Sequence, residues 1–280
     1  MASEPEARKP EEAAEAGAAA ADGQDGTGLP ASLETAWGLR TRRPKGPRPA
    51  LTLDRIVGAA VRLAATEGIA AVSMGRVAKE LGVSTMSLYR YVAAKDELYV
   101  LMADAGVGTP PPLDPDAATA RPGWRAALTD WAYQQRAVLQ ANTWVLRIPI
   151  TGPPASPNQV AWMERGLAAL AETGLREGQK LSVLMLIGGL VRNEATLMAD
   201  MTDAIVTSGI SPDQMLARYT AVLTALTDPE RHPAVTRLLA SGELGHADGP
   251  DTEFAFGLDR ILDGLDALIA ARRGPVRESP

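Results

Sequence analysis

The sequence contains no cysteine, which excludes disulfides, thiolate metal sites and cysteine nucleophiles together. Histidine is nearly absent too: His232 and His246 are the only two, and both lie late in the chain. No run of eighteen apolar residues is free of charge, so no membrane span is expected. The opening stretch MASEPEARKPEEAAEAG lacks the apolar centre of a secretory signal. The expectation is a soluble, cytoplasmic protein with no membrane partner. Strand-type alternation of any length is also missing, which leaves an all-α fold. No nucleophile–base pair, no paired carboxylates in a definable setting and no phosphate loop can be found. Gly188 and Gly189 sit inside an apolar helical stretch and follow no strand, so they make no dinucleotide fingerprint. Nothing here points to an enzyme, a cofactor or a metal.

The chain does have ample apolar content, 46% of 280 residues, enough for a sizeable core. Its net charge of −6 is unevenly spread. Residues 1–39 and 102–280 are each acidic, whereas residues 40–101 hold eleven basic and five acidic groups. An acidic chain with one basic segment carries its footprint for phosphates on that segment.

The texture of the chain divides it. Residues 1–50 are rich in Ala, Glu, Gly and Pro and read as a disordered extension, with a basic, proline-broken arm at 40–49. Residues 51–106 read as a small helical domain. Thr52 can cap its first helix, which carries Ile56, Ala59, Ala60, Leu63 and Ala64 at helical spacing and stops at Gly68. Ser73 caps a second helix to about Leu81, Ser84 a third to about Tyr91, and Lys95 opens a fourth to about Ala105. A linker, 107–121, follows with three consecutive prolines. Helices near 122–141, 156–173, 176–206, 211–226 and 251–272 then build a larger body, 122–273, before a disordered tail, 274–280.

The pair at 73–91 has the layout of a helix-turn-helix. Val77, Ala78 and Leu81 form an inner face, Gly82 makes the tight turn, Val83 plugs it and Leu88 anchors the second helix. Ser84, Thr85, Ser87 and Arg90 then point outward with Tyr89 and Tyr91 nearby, side chains suited to phosphates and base edges. Lys95 can meet a phosphate through its charge and the free N–H groups of its helix. In the basic arm, Arg42, Arg43, Lys45 and Arg48 are of the type that enters a minor groove.

The run from Leu51 to Asp104 resembles the DNA-binding domain of the tetracycline-repressor (TetR) family. The first helix with Ala60, Leu63 and Gly68, then VSMGRVAKELGVS, then SLYRYVAAKDEL, stand in the family's order. The resemblance implies operator contacts from Thr85, Ser87, Tyr89, Tyr91 and Lys95, and backbone contacts near Ser73 and Arg76. Tyr91 departs from the histidine of many members but keeps a phosphate-directed hydroxyl. GPPASPNQVAWMERGLAALAETGL and FAFGLDRILDGLDALI are similar to the C-terminal domain of the actinomycete tetracycline-repressor subgroup.

For that body the resemblance implies ligand binding and dimerisation. Four of the five tryptophans, Trp124, Trp131, Trp144 and Trp162, fall close together, and with Gln134, Arg147 and Met163 they are candidates for a pocket lining. Leu184, Gly188, Val191, Leu258, Ile261, Leu262 and Leu265 are the candidate dimer seam. A magnesium–tetracycline chelate is held in the family by histidine and acidic groups; here both histidines lie late and no metal ligand set is visible between 100 and 200, so a metal-free, largely apolar effector is expected. The function so read is a dimeric regulator released from a palindromic DNA operator by a small molecule. A ligand-independent activator or architectural DNA-binding protein is the alternative.

Overall fold

Polar caps set where the helices begin. The computed structural model describes residues 28–39, 51–112, 123–150, 152–245, 249 and 251–273, and among these are α-helices but no strand. Thr52 accepts the Arg55 N–H at 3.3 Å and opens α2 (Leu53–Glu67). Ser73 does the same for Arg76 at 3.2 Å ahead of α3 (Met74–Leu81), and Ser84 for Ser87 at 3.3 Å ahead of α4 (Thr85–Tyr89). Each oxygen satisfies a backbone donor that the first turn leaves open. α5 (Lys95–Val107) completes the N-terminal group. The body holds α6 (Trp124–Ala141), α7 (Pro157–Ala169), α8 (Glu177–Ser208), α9 (Pro212–Leu226), α10 (Pro233–Ser241) and α11 (Thr252–Arg273).

The described part of the extension differs from expectation. Residues 31–36 form a short helix, α1 (Ala31–Ala36), lying against α5. It buries no residue completely, so it carries no apolar stripe by which periodicity could reveal it. The proposed arm residues Arg42, Arg43, Lys45 and Arg48 lie outside the described residues, as does the tail from 274. α10 also escaped the sequence reading. It is nine residues long, starts on a proline and buries nothing.

Two apolar clusters hold the chain together. The first joins Ile56, Leu63, Val77, Leu88, Leu98 and Met102, but it also takes in Trp144, Val145 and Ile148 from beyond α6. The N-terminal core is therefore completed by the body. The second cluster packs Leu128 and Trp131 of α6 and Trp162 of α7 against Leu184, Ile187 and Val191 of α8 and Phe254, Leu258, Leu262 and Leu265 of α11.

This second cluster corrects the expected dimer seam. Leu184, Val191, Leu258, Leu262 and Leu265 are buried in their own chain, and Ile261 is half-buried against the same core. The most regular apolar stripe of a helix faces its nearest neighbours, and here those neighbours are intramolecular. Gly188 lies outside that core, and a side chain there would meet nothing within the chain. What α8 and α11 leave uncovered is a different set: Leu181, Met185, Leu186, Leu197, Val206, Phe256 and Leu268.

A buried cation links three body helices. Arg136 of α6 is 5% exposed and donates to Glu194 of α8 at 2.7 Å and to Asp251 before α11, with its guanidinium 4.7 Å from the centre of the Phe254 ring. The hydrogen bond to Glu194 pushes its pKa further above the ordinary arginine range, so it stays charged. Removing one partner of such a pair strands the other. Arg136→Met should cost about 3–5 kcal/mol in urea unfolding, and most of that loss should return when Glu194→Leu is added. No recovery in the double variant would show that the cost lies in packing. A second test concerns the junction between clusters. A Cβ on Gly106 would approach Val145 Cγ2 to 2.6 Å and the Trp144 ring to 2.7 Å. Gly106→Ala should lower stability by about 1–3 kcal/mol through overpacking; an unchanged unfolding midpoint would mean that the turn at Trp144 yields freely.

Candidate nucleic-acid interface and ligand cavity

The reading unit is set by the turn between α3 and α4. Gly82 takes the left-handed conformation, φ 67° and ψ 30°, which costs glycine no side-chain clash. The Val83 N–H then reaches back to the Ala78 carbonyl at 3.0 Å. Val77, Ala78 and Leu88 are buried beneath, and Leu81 and Val83 are half-buried. α4 is thereby locked across α3 with its other side free.

That free side differs in detail from the expected one. Ser84 is exposed but acts as the cap, and its hydroxyl shares a 2.9 Å hydrogen bond with that of Ser87. Thr85 and Ser87 are half-buried. Of its large apolar and aromatic side chains, Met86, 73% exposed, and Tyr89, 46% exposed, stand out, one turn apart. Met86 was missed because the sequence search favoured polar side chains. An apolar side chain suits the methyl group of thymine, and three small polar neighbours around one methionine were the available signal.

The flanking cations are distributed around this unit. Arg76 is exposed and bridges Glu67 at 2.6 and 2.8 Å, so a phosphate would compete with that carboxylate. Arg90 is exposed at the end of α4. Lys95 begins α5, with its ammonium 5.1 Å from the centre of the Tyr99 ring, and Ala94 before it offers no side-chain cap to the helix. Ser73 is occupied in capping α3. Tyr91 corrects an expectation: its hydroxyl donates to the Leu51 carbonyl at 2.8 Å and is directed at the start of α2 rather than outward.

A cavity of about 880 Å³, open to solvent on one side, lies between α5, α6, α7 and α8. Trp131, Leu139, Trp162, Met163, Leu184 and Met185 supply apolar wall, and α5 contributes Tyr99, Val100, Ala103 and Val107. Both indoles are fixed, because Trp131 donates to the Trp162 carbonyl and Trp162 to the Gly108 carbonyl, each at 2.9 Å. The rings are themselves nearly covered by the core, 4% and 3% exposed, so each offers the cavity only a small part of its surface. Polar groups are few. Arg192 donates to the Leu146 carbonyl at 3.0 Å, and Gln135 holds a buried amide nitrogen with no partner among the described residues. A buried donor without an acceptor is costly, and an occupant that accepts from it recovers that cost.

Of the expected pocket residues, Trp131, Trp162 and Met163 line this cavity and the others do not. Trp124 packs on the second cluster and Trp144 is buried in the first. Gln134 turns to Asp130 at 2.8 Å, and Arg147 pairs with Asp200 at the surface. Gln135 was missed by one position. It follows Trp131 by four residues and precedes Leu139 by four, so helical spacing from a wall tryptophan was the signal for it.

Comparison with known proteins locates this arrangement. The model for the tetracyclin repressor-like C-terminal domain matches residues 116–269, and that for the tetR family of bacterial regulatory proteins matches residues 56–102. The HTH-type transcriptional repressor DrrR1 of Streptomyces coeruleorubidus is 36% identical over 244 residues, 87% of each chain. The HTH-type transcriptional repressor Rv1353c of Mycobacterium tuberculosis is 28% identical, over 85% of this chain and 87% of its own. Among solved structures, Streptomyces coelicolor ActR in complex with actinorhodin aligns with a TM-score of 0.63 at 27% identity, covering 80% of this chain and 99% of that one.

The bond from Tyr91 to Leu51 gives a direct check on the geometry. Tyr91→Phe should lower the unfolding free energy by about 0.5–1.5 kcal/mol, the usual worth of one such bond. A variant as stable as the parent would show that the hydroxyl is free to turn elsewhere.

Proposed function

The chain belongs to the TetR family of bacterial transcriptional regulators, and on that footing we propose that it is a cytoplasmic repressor that leaves a palindromic operator when a largely apolar molecule fills its cavity. Binding DNA through a helix-turn-helix, taking up small molecules and working as a dimer are properties of the family. The finer reading rests on one observation, the double role of α5. Its first residue, Lys95, flanks the reading helix, while Tyr99, Val100, Ala103 and Val107 on the same helix are cavity wall. An occupant that fits one setting of α5 better than another shifts the reading unit with it, by as much as its affinities differ.

For the operator we assign Thr85, Met86, Ser87 and Tyr89 to bases and Ser73, Arg76, Ser84, Arg90 and Lys95 to the phosphate backbone. Tyr91 positions the start of α2. The basic arm at 40–49 adds minor-groove contacts. Residues 51–106 act as reader and 122–273 as body. For the effector, the largely apolar wall favours a hydrophobic molecule, and Gln135 favours one with a carbonyl or hydroxyl acceptor. The complex of ActR with actinorhodin supports a small-molecule effector. For the dimer, the uncovered residues Leu186, Leu197, Phe256 and Leu268, with Gly189 between, supply the face. By length and composition α8 could also cross a bilayer. A second copy is the better cover, because Arg192 and Glu194 of that helix are bound within the chain and a bilayer would have to take both charges.

Genomic fragments retained by the purified protein would yield the operator, and fluorescence anisotropy on it tests the assignments. Ser87→Ala and Tyr89→Ala should each weaken binding by about 1–3 kcal/mol. Arg90→Ala and Lys95→Ala should instead flatten the dependence of affinity on salt. Parental affinity in all four variants would sink the assigned reading face.

A further inference from the structure

The effector cavity has one wall that does not belong to the helical body. Pro30, Ser32 and Leu33, from the segment Gly28–Leu39, line it beside α5 and the loop that runs from Ile148 to Ala155. A six-residue helix is far below the length at which helices persist alone in water, and α1 buries no residue completely. Its helical state is therefore maintained by what it touches. Among the described residues two side chains hold it, one to α5 and one to the loop before α7. The Thr35 hydroxyl lies 2.7 Å from Glu97 of α5 and 2.8 Å from the Ala31 carbonyl, sharing its one proton between them, and the Trp37 indole N–H donates to the Ala155 carbonyl at 2.8 Å. Glu97 is itself buried, 5% exposed, and its second oxygen accepts the Ala93 N–H ahead of α5. The tie on the α5 side thus ends on a fixed carboxylate.

From this we infer that the segment Gly28–Leu39 is a strap that forms part of the effector site and limits the size of what it takes, with Leu33 as its contact residue. The inference rests on the reading of the cavity as an effector site. With the strap in place the volume is near 880 Å³, toward the upper end of the range for small-molecule sites. A molecule that fills this space meets Leu33 on one side and Trp131 and Trp162 on another. A larger one has to break both ties. Since neither tie is to the occupant, the strap is ordered before binding, and the contact at Leu33 adds affinity without a further ordering cost.

The test uses the full chain and the hydroxyanthraquinone dye alizarin as probe, followed by quenching of protein fluorescence. Leu33→Ala and, as a variant of the body wall, Met163→Ala are compared with the parent, with circular dichroism as the check on folding. Leu33→Ala should weaken the dye by about five- to tenfold, as the loss of part of an apolar contact does. Amides 33–39 of the unsubstituted protein should exchange more slowly with the dye bound. Weakening by Met163→Ala alone, with unchanged exchange in the strap, overturns the strap while leaving the effector site standing. Tighter binding by Leu33→Ala also overturns it, since the strap would then compete with the dye. No saturable binding by the parent, or equal binding by all three proteins, overturns the effector site and the strap together.

Discussion

Much of this molecule depends on how the end of α5 is held. Asp104 accepts both the Asn158 backbone N–H at 2.8 Å and its side-chain amide at 3.1 Å, and the same amide reaches the Asp104 carbonyl at 3.0 Å. Thr109 donates to Asn158 as well, at 2.9 Å, and Trp162 closes on Gly108. α5 therefore cannot shift against α7 without breaking several bonds at once. Its other end carries Lys95 and the turn to the reading helix. A rigid rod clasped at one end transmits small displacements of the clasp to the far end. Trp144, Val145 and Ile148 reinforce this, since they lie in the reader's core although they follow α6 in sequence.

Charge serves order elsewhere in the body. Arg136 sits where an apolar residue of similar volume could have stabilised as well, yet its fork reaches α8 and the residue before α11 together. Arg125 makes a looser pair of contacts to Asp259 and Asp263 along α11, exposed to solvent. The buried cation gives direction to a packing that leucines alone would leave less specific. It helps to explain why α8 and α11 present a defined side inward and a defined side outward.

The sequence made the helix-turn-helix legible almost residue by residue, because caps and left-handed glycines act locally. Thr52, Ser73, Ser84, Gly68 and Gly82 all do in the structure what their chemistry implies. Non-local facts were harder. The stripe of Leu258, Leu262 and Leu265 is visible as periodicity, but periodicity does not say whether the surface it meets is of the same chain or another. The Trp cluster has the same ambiguity: Trp131 and Trp162 pack in the body's core at the border of the cavity, whereas Trp144 faces Gly106. α1 lacked any signal of its own, since its order is lent by Glu97 and Ala155.

α9 and α10 differ from every other long helix in the chain. Neither buries a residue, and they pack chiefly on each other and on the short turn Glu243–Gly245. A segment of that kind contributes little to the cooperative core, so selection on folding bears on it only lightly. Insertions, deletions and exchanged surfaces are tolerated best where few buried contacts are at stake. Between Ser211 and Gly245 the chain has room to acquire new recognition without renegotiating the rest of its architecture.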